Sequence, residues 1–461
     1  MTLKVVVKKI PVGLAIACFF LTTILSFSTP AWAVPNGKSI NVGLYPYVPR
    51  LDQFKQSLES AWQQIEPEVS LNILPSDKWD GGYDLEPPEN IDVYVFDAIF
   101  LNYFRSQGWL LPLKSEEVQG ADDFLSYAIQ GVKSSPDTYD AIPQLGCTNI
   151  LFYWNTDTPL KNARNLDDIY HTIGQCRFTS QEPPNREGLM VDMAGGTTNA
   201  CLYIDALAST LNQFPVPKPW KPQEVNQEAI ANLRKLLRMS SYDNATQDTS
   251  DPYIRANWFS NGQGRAVIGF TESMSVMNQE ALKNIDLKVM PLSNDDRKAL
   301  FYADVIGIHP KTVERGNREL AVKLANLIAS SDYMVNSIGA DKSGIPQYLM
   351  PTRHTVFNRL SQSNPNYQKM YNLVETANPI LFTLDSQVRT WLNTMKGTIK
   401  QEIRANYSCG CDLEAGSIWS QEDAKNKCPN ACANNGGWNG EWTTTQPGIM
   451  SVCGCNTCGI K

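Results

Sequence analysis

The sequence predicts an α/β fold with a mainly parallel sheet, followed by a small α+β module rich in disulfides. Three observations predict it. Strand and helix patterns alternate from Ser39 onward, no internal repeat or low-complexity tract interrupts them, and seven of the 11 cysteines crowd the last 53 residues. Alternation of this kind places parallel strands beside one another with helices returning the chain between them. A cysteine-dense segment too small for a core of its own reads as a disulfide framework.

The elements follow in order. SINVGLYPYV, from Ser39, has a strand pattern. Leu51, Phe54, Leu58, Trp62 and Ile65 then recur every three or four residues, which is an amphipathic helix. VSLNIL is a second strand, and IDVYVFDAIF a third that runs into a helix carrying Leu101, Phe104 and Trp109. Ligands of such sheets bind beyond the carboxyl ends of strands, and Asp97 lies at one; a cap for the following helix accounts for it equally well locally. After the loops EPPNREG and QFPVPKPWKP, a helix runs from about Gln223 to Met239. NWFSNGQGRAVIGFTESM then gives a helix end, a turn at Gly262 and Gly264, a buried strand from Ala266 to Phe270, and Glu272 entering a new helix.

The first 33 residues have the order of a secretory signal peptide: Lys4, Lys8 and Lys9, an apolar run from Ile10 to Phe27, and Ala31-Trp32-Ala33 before a cleavage site at Val34. The run is also about long enough for an N-terminal anchor, and Ala15-Ile16-Ala17-Cys18 is a poor lipoprotein site. The expected product is secreted or periplasmic, with no stable membrane insertion after cleavage. A net charge of −7, without a cluster of Lys or Arg, argues against nucleic acid or anionic membrane as a partner.

Cys147, in AIPQLGCTNILFYW, stands alone. A buried packing role suits it locally, and so does a nucleophile. An unperturbed thiol is only a few per cent ionised at neutral pH, so a nucleophile needs a base. The three histidines sit in no recognisable protease pattern, and CG(S/A)CW is absent. Glu272 is the alternative base. At reference values the transfer from thiol to carboxylate costs about 6 kcal/mol, which requires a dry site that raises the glutamate. In an oxidising compartment Cys176 and Cys201 are expected to pair with each other.

The helix followed by NGQGRAVIGF resembles the crossover region of periplasmic solute-binding proteins of the two-strand-hinge type (type II), and residues 40 to 403 fit two such α/β lobes closing on a ligand. IPQLGCTNILFY around Cys147, FDAIF with Asp97, DPY with Tyr253, GFTES with Glu272, and YADVIG with Tyr302 and Asp304 together resemble thiaminase I (thiamine pyridinylase). The resemblance implies a transferase that exchanges the thiazole of thiamine for a small nucleophilic base, with no metal or organic cofactor. It implies Cys147 as nucleophile and Glu272 as general base. Asp97 and Asp304 would hold the aminopyrimidine and the cationic ligand, and Tyr45, Tyr47, Tyr253 and Tyr302 would form aromatic walls. Phe270 stands where the family tends to carry a tyrosine. The competing expectation is a solute-binding protein that delivers thiamine, or a related ligand, to a transporter.

The tail, from about Asp412 to Cys455, carries AGSIWS, a short helix and WTTTQPGIMSV, and resembles one repeat of the cyanobacterial mannan-binding lectins. Trp419, Trp442, Thr443 and Thr444 match that motif and imply mannose-type glycans as partners; both tryptophans suit a tiny core as well. Ser420 is placed to cap the helix, with Cys428 and Cys432 on one face. The cysteine spacings also permit zinc, and the connectivity is not readable from sequence. The expected organisation is a signal peptide at 1–33, the two-lobed domain at 34–405, and the cysteine-rich domain at 409–461.

Overall fold

The computed structural model describes residues 38–174, 177–178, 188–240, 251–294, 299–405 and 409–458. The expected signal peptide and Cys176 lie outside the described residues. Among those described, no helix is long and apolar enough to cross a membrane.

Strands are numbered in chain order. In the larger sheet, β1 (Ser39–Gly43) lies between β2 (Ser70–Ile73) and β3 (Val93–Asp97), parallel to both. β13 (Leu300–Ile308) runs antiparallel to β3 on one side and to β7 (Ile142–Cys147) on the other. β14 (Met350–Pro351) and β15 (Ile380–Leu381) complete it beside β7 and β13. The three short strands β4 (Leu113–Lys114), β5 (Lys133–Ser135) and β6 (Thr138–Tyr139) form an antiparallel outlier. A second sheet has the order β10 (Leu189–Met190), β11 (Ala266–Gly269), β8 (Ile150–Trp154), β12 (Ile285–Val289). The expected mainly parallel sheet is therefore a correction: both sheets are mixed, because the chain leaves and re-enters each lobe and its returning strands run antiparallel to their neighbours.

Two segments connect the sheets. Cys147 ends β7 and Ile150 starts β8, so Thr148 and Asn149 alone make the first crossing. The second leads from Val289 at the end of β12 to Leu300 at the start of β13. They are tied together: Thr148 Oγ1 donates to the Leu300 carbonyl at 3.1 Å, and Met290 N donates to the Asn149 carbonyl at 2.8 Å. NGQGRAVIGF is not the crossover. Its strand is β11, between β10 and β8 in the second sheet.

Helices form where apolar spacing provides a face to bury. Leu51–Ile65 buries Phe54, Leu58 and Trp62, each side chain contributing about 2 kcal/mol, whereas Ile65 is 43% exposed. Gln227–Met239 begins at Asn226, whose side chain accepts from the amides of Glu228 and Ala229. Gly196–Leu211 is buried over most of its length and carries Cys201, a free thiol. The expected Cys176–Cys201 disulfide is thus not formed: Cys201 is a free thiol, buried at mid-helix.

That tail sheet has the order β17 (Trp438–Gln446), β18 (Met450–Cys458), β16 (Cys409–Glu414), β9 (Arg177–Phe178). Its last strand is lent by the main body. Ser420 caps the helix Gln421–Ala431 through the Asp423 amide, and the disulfides Cys428–Cys453 and Cys432–Cys455 fasten this helix to β18. Closing loops of this size stabilises by about 3 kcal/mol each.

Candidate active site

A cavity of about 920 Å³ opens where the two crossings meet. Tyr45, Tyr47, Asp97, Cys147, Tyr253, Phe270, Glu272, Tyr302 and Asp304 all line it. Nine residues spread over some 260 positions are brought to one space by strand ends: Asp97 closes β3, Cys147 closes β7, Tyr302 and Asp304 lie on β13, and Glu272 follows β11 in a short 3-10 turn, Thr271–Ser275. Cys147 pairs with Tyr302 across the β7–β13 ladder.

Asp97 caps the turn that follows β3 and also lines the cavity. Its Oδ1 accepts from the Ile99 amide at 3.0 Å and caps the turn that follows; its Oδ2 accepts from the Tyr83 hydroxyl at 2.8 Å. Tyr83 in turn lies 3.1 Å, oxygen to oxygen, from Tyr45. Burial raises the Asp97 carboxyl to about 6, opposed by these two donors. Asp304 is driven well above the carboxylate range by burial, then by the charges of Asp97 and Glu272.

Glu272 is 8% exposed, and its Oε2 has no hydrogen-bond partner. Burial raises it to about 7. The burial that the pairing requires is present, yet it acts on both partners. The Cys147 thiol is also pushed well above its usual value, by burial first and then by Glu272, Asp304 and Asp97. The thiol is therefore held neutral among the carboxyls, and positive charge beside them would lower the thiol and the acids together.

Aromatic rings enclose this space. Tyr45 meets Tyr47 edge-on with centroids 5.5 Å apart, and Tyr302 meets Phe382 at 4.9 Å and Phe270 at 6.4 Å. Phe270 keeps the ring of the expected wall without a hydroxyl. None of the three histidines lines the cavity.

Sequence reading missed Tyr83, Asn149, Cys201, Arg255 and Arg389, which line the same cavity. The signal for Tyr83 was the double glycine before it. Gly81 and Gly82 have φ of +78° and +94°, and a Cβ on Gly81 meets the Tyr45 ring at 2.6 Å, so only glycine lets this loop lie against the wall. Arg255 is paired with Asp192 at 2.7 Å, and Arg389 donates to the carbonyls of Gly82 and Leu85.

In the tail, Trp419 is 72% exposed and does not fill a core. Trp442 is half-buried, packs against the disulfide cluster and donates through Nε1 to Gln421 at 2.8 Å. Thr443 and Thr444 are exposed on β17. Four of the seven tail cysteines are held in disulfides, which removes them from any zinc set.

Comparison with known proteins bears on both parts. The model of the Thiaminase-1 domain matches residues 148–293, which include Tyr253, Phe270 and Glu272 and begin just past Cys147. The Mannan-binding protein model matches residues 421–455. Clostridium botulinum thiaminase I in complex with thiamin is 34% identical, with a TM-score of 0.74, covering 79% of this chain and 100% of that one. The maltodextrin binding protein MalE1 of L. casei BL23, 13% identical with a TM-score of 0.54 over 80% of this chain and 93% of its own, shows the two-lobed solute-binding fold alone. Thiaminase-1 of Paenibacillus thiaminolyticus is 36% identical over 369 residues, 79% of this chain and 88% of that protein. On that identity and coverage, the chain belongs to the thiaminase I family.

Proposed function

We propose that this protein cleaves thiamine, transferring its pyrimidine from the thiazole to a small nucleophilic base through a covalent adduct on Cys147. The observation that carries this reading is the shared cavity of Cys147 and Glu272, the latter with an unpartnered carboxyl oxygen. A protein that only binds and delivers its ligand needs neither group.

The chain of events follows from the electrostatics. A thiazolium entering between Asp97, Asp304 and the tyrosines supplies the positive charge that this acid-rich space lacks, and aromatic faces favour the cation further. Its field lowers the Cys147 thiol. Glu272, poised near 7, takes the proton as sulfur attacks C6 of the aminopyrimidine. The carbon–nitrogen bond to the thiazole breaks, the incoming base forms a new bond at the methylene, and sulfur departs. When the base is an amine, Glu272 accepts its proton after returning the first to the departing sulfur. Asp97 and Asp304 act on the amino group and the cation, and Tyr45, Tyr47, Tyr253, Phe270 and Tyr302 hold the rings.

The tail is a mannose-type glycan-binding module, with Trp419 stacking on the sugar and Trp442, Thr443 and Thr444 beside it. The exposure of Trp419 supports this reading. The chain is exported by cleavage after Ala33, which the tail disulfides support, since such bonds persist in oxidising compartments. The two parts are the regions 34–405 and 409–461.

The test is direct. Purified protein with thiamine and pyridine should release free thiazole and the pyridinium-exchanged pyrimidine, read by mass spectrometry. Wild type that binds thiamine without forming product, while Cys147→Ser binds equally well, defeats the transferase reading. Silence of the full chain toward high-mannose glycans on an array removes the sugar claim. A secreted form that does not begin at Val34 removes the cleavage site.

A further inference from the structure

Among the described residues, three that line the cavity carry a buried polar atom with no hydrogen-bond partner: Glu272 through Oε2, Arg389 through Nε and Asn149 through Nδ2. Glu272 already has a role. Arg389 donates through Nη2 to the carbonyls of Gly82 and Leu85 and stacks over the ring of Tyr103, which holds its guanidinium against the loop. Asn149 is the unexplained one.

Its side chain is 8% exposed, and its position is fixed by both crossings. The Asn149 carbonyl accepts from Met290, and the preceding Thr148 binds the Leu300 carbonyl. It stands two residues beyond Cys147, yet its amide nitrogen reaches neither that sulfur nor any of the carboxyl oxygens of the cavity. An amide buried with an unused N–H is costly in the empty protein. The group that satisfies it is therefore a ligand atom, an acceptor lying close to the carbon that Cys147 attacks.

Thiolate addition says which atom that is. When sulfur bonds to C6, the π electrons of the C6–N bond move onto the ring nitrogen attached to that carbon. From there they flow back through the amidine to the exocyclic methylene as the thiazole leaves with the electron pair of its own bond. The charges balance without a proton on the ring: a thiolate and a thiazolium give a neutral adduct and a neutral thiazole. The nitrogen needs a donor that shares a proton without surrendering it. A neutral carboxamide does this, and an ionised carboxylate cannot.

We propose that Asn149 is a substrate-contacting residue whose Nδ2 donates to the pyrimidine nitrogen adjacent to the attacked carbon and stabilises the electron density that gathers there. The assignment rests on the thiamine-cleaving reading above.

The test uses the full chain and the variants Asn149→Ala and Asn149→Ser. With thiamine and pyridine, Asn149→Ala should lower kcat about 100-fold, in the range found for loss of one transition-state donor, and raise KM by no more than the roughly 10-fold that the contact adds to ground-state binding. Asn149→Ser, which keeps a short donor, should recover part of it. Alkylation of Cys147 by iodoacetamide should proceed at the wild-type rate in both, which a collapsed site would not allow. Two unreactive probes locate the contact: 4-amino-2,5-dimethylpyrimidine and its counterpart with CH in place of the nitrogen beside C6. Wild type should bind the first about 10-fold more tightly, and Asn149→Ala should erase that preference.

Equal wild-type affinity for the two probes overturns the assignment even where a variant fails to fold. So does wild-type turnover by Asn149→Ala, or equal weakening of both probes. A wild type that leaves thiamine intact sinks the functional reading and this one with it; a wild type that cleaves thiamine separates the two.

Discussion

Asp97 and Asp304 stand directly opposite one another across the antiparallel β3–β13 ladder, two carboxyls in one cavity. Burial raises both carboxyls, and the charge of Asp97 raises Asp304 further. A cation between them reverses the balance. Thiamine binding to Cys147→Ser near pH 6 should therefore release protons, seen by calorimetry as a heat that varies with the ionisation enthalpy of the buffer. Asp304→Asn should abolish part of this release and weaken thiamine binding about 10-fold, or about 1.4 kcal/mol. Buffer-independent heats contradict the arrangement.

Glu272 predicts a pH profile. As a base it must be ionised, so kcat/KM of the wild type should rise with pH through about 7. In Glu272→Gln the activity should be lower by about 100-fold or more and the limb should be gone. An unchanged limb would assign it to another group.

The same carboxyl sets a stability trend of known sign. Burial raises Glu272 above its unfolded value, so the folded state holds the extra proton between about 4.5 and about 7, and stability falls as pH rises through that window. Asp97 acts in the same direction up to about 6, and Asp304 further. Glu272→Gln should therefore unfold at a higher temperature than wild type at pH 8, with little difference at pH 4. A destabilised variant at pH 8 would contradict this.

Gly146 is the hinge neighbour of the thiol. A Cβ there would sit 2.2 Å from the Tyr127 hydroxyl, itself buried without a partner. Gly146→Ala should cost about 1–3 kcal/mol by overpacking and slow the reaction of Cys147. Adding Tyr127→Phe should restore much of both, because it removes the clashing atom and an unsatisfied hydroxyl together. Thermal unfolding and alkylation rates report the two effects.

Trp419→Ala should abolish glycan binding with a change in stability of no more than about 0.5 kcal/mol, as befits a side chain that is 72% exposed. Trp442→Ala should lose stability as well, because that ring packs on the disulfide cluster. Equal thermal losses in the two variants would make Trp419 a structural residue.

Much of this site was legible because its residues sit in short motifs at strand ends, where FDAIF, LGCTN and YADVIG each end or follow a hydrophobic run. Tyr83 and Arg389 were not, since a loop and a helix far apart in the chain reach the cavity only once the lobes exist. Nor was Asn149: an asparagine after a strand suits a turn, and only the folded state reveals its unused donor. The parallel order was right for β1, β2 and β3, which follow one another directly in the chain, joined by one helix and one loop. It failed for β7 and β13, whose direction is set by two crossings that periodicity does not register. Cys201 shows the limit of compartment reasoning, which says that thiols pair but not which ones meet.

Cys147 ends a strand of one sheet, and Glu272 follows a strand of the other. Burial and the surrounding acids keep the Cys147 sulfur protonated, and a protonated sulfur is a poor target for peroxide or electrophiles. The burial that delays chemistry thus doubles as a safety catch, conserving a single irreplaceable atom.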